Sequence, residues 1–276
     1  MNRATVRSVK GARTGGARIL TGYTAARSNT LMPPLEVLIF APLIVITAYI
    51  IFAISGFGST LIAVPLLAHL FPLKFVIPTM VLLDCVGSIS MGLKLRSDVN
   101  RRELAPLVPF LIVGMLTGAF LLLKLPAEAL LGALGVFVVA YGALYVGGRH
   151  TSLRVGRWAA APVGVFAGTT SSMFGVGGPI YVMYLTARGS NLEQIRATMP
   201  VIFIFTTIAR IIIFAVAGLF TASVLYTAAA LLPVMVLGLF VGNRLRLNLS
   251  RDQLVRTVGV LLLLSGLSLL WRAAGS

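Results

Sequence analysis

The chain has 276 residues, of which 58% are hydrophobic and 11% charged, with a net charge of +16. A soluble domain carries about 25% charged residues and a disordered chain needs low hydrophobicity, so both classes are excluded. One cysteine and two histidines leave no material for a disulfide framework or a metal centre, and a polytopic membrane protein remains.

The positive charge does not indicate a nucleic-acid partner, because the bases lie between long apolar stretches rather than on one soluble face. Short Lys- and Arg-rich loops are what the positive-inside rule expects of a helical membrane protein. Residues 1–31 differ from the rest. They hold Arg3, Arg7, Lys10, Arg13, Arg18 and Arg27, no acid, and no apolar core of the length a secretory signal needs. A transit peptide, a disordered basic tail and an over-extended start all fit. We favour the last, since Met32 directly precedes the first apolar segment.

From Leu35 onward apolar segments fall near 35–54, 58–72, 75–95, 104–123, 128–147, 158–174, 178–188, 195–218, 222–243 and 253–271. Most approach the roughly 20 residues that cross a bilayer as a helix. The second and seventh are short, and each follows a glycine-rich break, Ser55-Gly56-Phe57-Gly58-Ser59 and Phe174-Gly175-Val176-Gly177-Gly178-Pro179. Each short segment reads as a half-helix or a re-entrant piece.

The breaks also expose a repeat. Gly56 and Gly58 match Gly175 and Gly177 at a spacing of 119. Gly114, Gly118, Gly135 and Gly142 match Gly238, Gly242, Gly259 and Gly266 at a spacing of 124. In the first half the basic loop (Lys94, Arg96, Arg101, Arg102) precedes the fourth segment. In the second half the basic loop (Arg244, Arg246, Arg251) follows the ninth. Corresponding loops then face opposite sides of the membrane. The expected fold is an all-α polytopic membrane protein built from two inverted-topology repeats of about five hydrophobic segments each, 8–10 in total, with broken helices at the two glycine motifs. The boundaries are a tail over 1–31, a first repeat over 32–148, a cytoplasmic linker over 149–157 and a second repeat over 158–276.

The breaks are the first candidates for chemistry. An interrupted helix in lipid leaves backbone polar groups unpaired unless it lines a polar cavity or is buried in protein. The helix that follows presents free N–H groups and a positive dipole end. Two such ends make an anion site; close packing by small residues is the structural alternative. The candidate substrate-binding set is Ser55, Gly56, Phe57, Gly58, Ser59, Thr60, Gly175, Val176, Gly177, Gly178, Pro179 and Arg210. Ser59 and Thr60 are expected to add hydroxyl donors, and Pro179 suits a first helical turn.

Asp84 and Arg210 stand inside apolar segments, where an ionisable residue costs about 2.5–3.5 kcal/mol on insertion scales and is a functional candidate by default. At a spacing of 124, Asp84 corresponds to position 208, two residues from Arg210. They form a buried pair, or else Arg210 holds an anion and Asp84 takes up a coupling proton. A purely structural ion pair is the third option. His69 and Lys74 read as interfacial anchors, with the translocation path as the alternative, Cys85 as a small buried apolar residue, and Trp158 and Trp271 as interface anchors. Gly114–Gly118 and Gly238–Gly242 are G-x-x-x-G patterns for close helix contact.

The run Gly56-Phe57-Gly58-Ser59-Thr60-Leu61-Ile62-Ala63-Val64-Pro65-Leu66-Leu67 resembles the first-half signature of the sulfite exporter TauE/SafE family, and Gly175-Val176-Gly177-Gly178-Pro179 resembles its second-half counterpart. The first break departs from the commoner Gly-Gly-Gly form, having Gly58-Ser59-Thr60. The resemblance covers about 32–272. It implies a bacterial inner-membrane, multi-pass transporter of a small anion such as sulfite or an organosulfonate, acting outward.

The expected function is therefore secondary export of a small anion across the plasma membrane. An anion channel or another non-catalytic membrane protein is the alternative. No enzyme is expected, since Asp84 is the sole acid deep in a segment and no catalytic serine pairs with a histidine. No P-loop is present to bind ATP. No cofactor is expected. The expected partners are the small anion, the lipid bilayer and, as an open option, a second copy of the chain.

Overall fold

A computed structural model describes residues 35–55, 58–92, 99–146, 154–245 and 251–274. The tail 1–31 and residues 149–153 of the linker lie outside the described residues. The described residues form ten α-helices, one 3-10 turn and no strand. The helices are α1 (Leu35–Ser55), α2 (Ser59–Leu67), α3 (Leu73–Gly92), α4 (Arg101–Lys124), α5 (Ala127–Val146), α6 (Ala160–Phe174), α7 (Gly178–Ala187), α8 (Leu192–Val216), α9 (Ala222–Leu245) and α10 (Arg251–Ala274). Each expected apolar segment is one helix. The largest adjustment is at α2, which stops at Leu67 before a turn into α3, while α6 is entered through the 3-10 turn Arg157–Ala159.

Among the described residues, four stretches are long and apolar enough to cross a bilayer: Arg101–Lys124, Ala127–Leu144, Glu193–Val216 and Ala222–Leu245. Shorter apolar stretches, Leu38–Ile54 and Gly259–Ala274, fall in α1 and α10. Helices dominate because a chain in hydrocarbon must satisfy its backbone internally. The exposed face of α4 carries Val113, Leu116 and Phe120, and that of α9 carries Val236, Leu237 and Phe240. Such a surface suits lipid, not water. Trp158 and Trp271 are both largely exposed at helix ends, where aromatic anchors of a bilayer interface sit.

The chain divides into two units, Met1–Phe40 and Ala41–Ser276. Within the second, glycines set the closest helix approaches. α4 runs along α6 and α5 along α10. A Cβ on Gly114 or Gly118 would stand 2.9 Å from the Cα of Val165 or Thr169 on α6. On α9, a Cβ on Gly238 would stand 2.8 Å from the Ile46 carbonyl oxygen of α1, and one on Gly242 2.6 Å from that of Ile50. Gly135 and Gly142 of α5 meet α10 at Gly266 and Gly259 respectively. The glycines of both G-x-x-x-G patterns are thus positions where backbone meets backbone.

Polar residues close the helix ends. Asn191 and Gln194 form a reciprocal capping box at the start of α8, with 2.8 Å and 3.2 Å bonds. Lys74 Nζ donates to the Leu123 carbonyl at 2.8 Å, satisfying a C-terminal acceptor of α4. His69 contacts the Pro65 carbonyl and Ser268 Oγ. Both His69 and Lys74 therefore tie helix ends together, and neither lines the cavity described below. Cys85 is half-buried rather than buried.

Candidate functional site

Two glycine junctions face each other. α1 ends at Ser55 and α2 begins at Ser59; α6 ends at Phe174 and α7 begins at Gly178. Gly58 has φ +96° and Gly175 φ +77°, a left-handed backbone that a side chain would oppose. The first turns of α2 and α7 hold N–H groups without intrahelical partners, and each presents a positive dipole end.

Gly58, Ser59, Thr60, Gly175, Val176, Gly177, Gly178, Pro179, Asp84 and Arg210 all line one cavity. Gly56 and Phe57 lie outside the described residues, as does the side chain of Ser55. Its volume is about 20 Å³, room for about one water molecule. α3 brings Asp84 and Ser88 to it, and α8 brings Thr206, Thr207 and Arg210. These positions lie one turn apart on their helices, so they share a face.

The charges are deeply buried: Arg210 is 3% and Asp84 8% exposed. Arg210 Nη2 lies 3.6 Å from Asp84 Oδ2. Arg210 Nη1 donates to the Ser171 carbonyl of α6 at 3.3 Å. Arg210 Nε is buried and has no hydrogen-bond partner. Asp84 Oδ1 accepts from Tyr49 Oη at 2.8 Å and from Ser59 Oγ at 3.0 Å. A buried Asp84–Arg210 pair was one of the options the sequence left open, and the two side chains do meet.

The hydroxyl expectation needs correcting. The Ser59 proton is spent on Asp84, and Thr60 Oγ1 donates to the Gly175 carbonyl. Neither hydroxyl is a free donor to the cavity. Their work is structural: Ser59 orients the carboxylate, and Thr60 ties the start of α2 to the opposite junction. Asp84 is thus held at one oxygen by two neutral donors, leaving its other oxygen toward Arg210.

Sequence reasoning missed Tyr49, Ser88, Ser171, Tyr181, Thr206 and Thr207. A polar residue inside an apolar segment is the available signal, and it is weak, since hydroxyls often bond the preceding turn. Thr206 does so, donating to the Phe203 carbonyl at 3.2 Å. Ser88 and Thr207 instead meet across α3 and α8 at 3.4 Å. Tyr181 Oη is also buried without a partner. A Cβ on Gly177 would stand 2.5 Å from it, so glycine there makes room for the ring.

A second ion pair was also missed. Glu103, at the start of α4, takes Arg188 Nε at 2.7 Å and Nη2 at 2.9 Å. Arg188, just beyond α7, also donates to the Val155 carbonyl at 2.7 Å. Hydrogen bonding to Glu103 holds the Arg188 guanidinium above its ordinary pKa. The pair anchors the far end of α7, whose near end walls the cavity.

A bundle of apolar helices around a buried charged cavity between two glycine junctions has the features of a membrane transporter. The sulfite exporter TauE/SafE family model matches residues 41–269, and the chain belongs to that family. It is 28% identical over 197 residues to "Probable inner membrane transporter protein TsaS" of Comamonas testosteroni, covering 70% of this chain and 82% of that protein. It is 31% identical over 140 residues to "Probable sulfite/organosulfonate exporter TauE" of Cupriavidus necator, covering 50% and 54%. No solved structure matches the chain significantly.

Proposed function

We propose that the chain is a secondary transporter of the bacterial inner membrane that exports a small sulfur-containing anion, sulfite or an organosulfonate, and binds it in the cavity between the two glycine junctions. The relatives' names support the substrate class and the membrane. The observation that carries the site is Arg210 Nε, a buried charged donor with no partner, beside two helix N-termini. An unpaired donor in hydrocarbon is costly, and an oxyanion would satisfy it.

The frame is a pair of inverted repeats, over 32–148 and 158–276, with α2 and α7 as the half-helices. Several contacts support this. Gly114 and Gly118 meet α6 as Gly238 and Gly242 meet α1. The matched positions Gly135 and Gly259 exchange partners with Gly142 and Gly266 across α5 and α10. A two-fold relation between halves produces such reciprocal pairs. The cavity holds about one water, too little for a sulfur oxyanion, so loading parts the junctions. Thr60 to Gly175 is a bond across that seam.

The test is flux of sulfite across proteoliposomes holding the full chain, with sulfate, thiosulfate and acetate as competitors. Saturable sulfite flux competed by sulfur oxyanions is expected. Arg210→Gln should weaken anion affinity about 10–100-fold, the worth of one charged hydrogen bond of roughly 1.5–3 kcal/mol. Wild-type flux and affinity in that variant would remove Arg210 from the site.

A further inference from the structure

Given that anion site, on which the argument rests, we propose that Asp84 and the transported anion compete for Arg210, so that each monoanion binds together with one proton and the carrier moves the two as a neutral pair. The geometry points to it in three ways. First, the cavity holds one positive and one negative side chain among its described lining residues, Arg210 and Asp84. It is neutral when empty. Adding an anion alone leaves a net negative charge in a low-dielectric interior, which is costly. Adding the anion with a proton restores neutrality.

Second, the pair is poised for exchange. The 3.6 Å separation of Arg210 Nη2 and Asp84 Oδ2 is longer than the 2.7–2.9 Å of a tight charged hydrogen bond, unlike the bidentate grip of Arg188 on Glu103. Third, protonation leaves the scaffold standing. Tyr49 and Ser59 both donate to Oδ1. A proton added at Oδ2 from solvent makes the neutral acid and keeps both of those bonds. Arg210, still held by Ser171, then turns its charge to the anion.

The groups around Asp84 are few. α1 supplies the Tyr49 hydroxyl, α2 the Ser59 hydroxyl and α8 the Arg210 guanidinium. α7 supplies Tyr181 and α6 Ser171 at the cavity wall, and α3 itself adds Ser88. The other helices packed on α3, α5 and α9, bring no titratable side chain to the cavity lining among the described residues. Both the loaded and the empty carrier are then neutral at the centre. The pair moves with the sum of the anion and proton gradients, independent of membrane potential. Outward flow needs an internal anion excess of about tenfold for each pH unit that opposes it.

The experiment uses the full chain, wild type and Asp84→Asn, with methanesulfonate (whose charge is fixed over the pH range) and sulfite as probes. Sulfite's own ionisation is recorded in protein-free buffer. In weakly buffered detergent, wild type should take up one proton per anion bound, and its affinity should fall about tenfold per pH unit on the alkaline side, as one linked proton requires. Asp84→Asn keeps an acceptor for Tyr49 and Ser59. It should bind anion with no pH slope, take up no proton, and retain anion-for-anion exchange in liposomes. Wild-type flux should not change when valinomycin and potassium set the membrane potential. Anion binding by wild type with no proton uptake, or flux that follows the potential, would overturn the inference and leave the anion site intact. A normal pH slope in Asp84→Asn would remove Asp84 from the role. Failure of folded wild type to bind either probe at any pH would overturn the anion site itself. If Asp84→Asn does not fold, the wild-type proton count decides.

Discussion

The seam between α4 and α6 fixes one wall of the cavity, because α6 carries the Ser171 carbonyl that holds Arg210 and leads into the second glycine junction. Gly118→Ala tests that seam. The added methyl would stand 2.9 Å from the Thr169 Cα and 3.0 Å from its carbonyl carbon, where carbon atoms prefer about 3.5–4.0 Å. The Thr169 carbonyl oxygen stands closer still, and all three atoms are backbone, so the helices must part by about 1 Å. Overpacking of this kind costs about 1–3 kcal/mol. The bond from Thr169 Oγ1 to the Gly114 carbonyl, 3.1 Å across the seam, stretches as well, and such bonds are worth about 0.6 kcal/mol in membrane bundles. The better helix propensity of alanine returns about 0.5–1 kcal/mol. The net loss is about 0.5–3 kcal/mol, which lowers the thermal midpoint in detergent by about 1–12 °C at 2–4 °C per kcal/mol. Gly132→Ala is the control. Its methyl would meet only Ala273 Cβ at 3.8 Å, an ordinary contact, so the same propensity term should raise the midpoint. Anion flux should fall in Gly118→Ala and hold in Gly132→Ala. A midpoint for Gly118→Ala at or above that of wild type would refute the backbone-contact argument.

Glu103→Ala should destabilise by about 2–3 kcal/mol, below the usual 3–5 for breaking a fully buried pair because Arg188 keeps 17% side-chain exposure. Denaturant titration measures it, and an unchanged midpoint would show that the pair anchors nothing. Thr60→Val removes the bond to the Gly175 carbonyl while keeping the shape. It should leave insertion intact and change transport more than stability, as paired flux and thermal-melt measurements would show; unaltered flux would mean that this tie does not bear on opening.

Much of the architecture was legible because hydropathy is a local property. Each expected apolar segment became a helix, and the two glycine runs fall where helices stop and restart, at Gly58 and Gly175. The G-x-x-x-G patterns named the close-packed faces because only a missing Cβ lets backbones meet. Asp84 and Arg210 could be picked out singly because a charge in an apolar run is conspicuous and expensive. Transporter class followed from the same local signals, together with the family motif.

What each side chain does depended on partners far along the chain. Ser59 and Thr60 read as free donors until the fold put Asp84 and the Gly175 carbonyl within reach of their hydroxyls. Tyr49 carried no signal in its apolar helix, yet it is fully buried and holds the carboxylate from 35 residues away. Glu103 stands beside Arg101 and Arg102 in a first helical turn, while its partner Arg188 is 85 residues distant. Hydropathy and glycine spacing set where helices begin, end and touch, since those depend on each residue's own transfer energy and size. Hydrogen bonds and ion pairs depend on direction and on distances of a few ångströms, and only the packed tertiary structure supplies those.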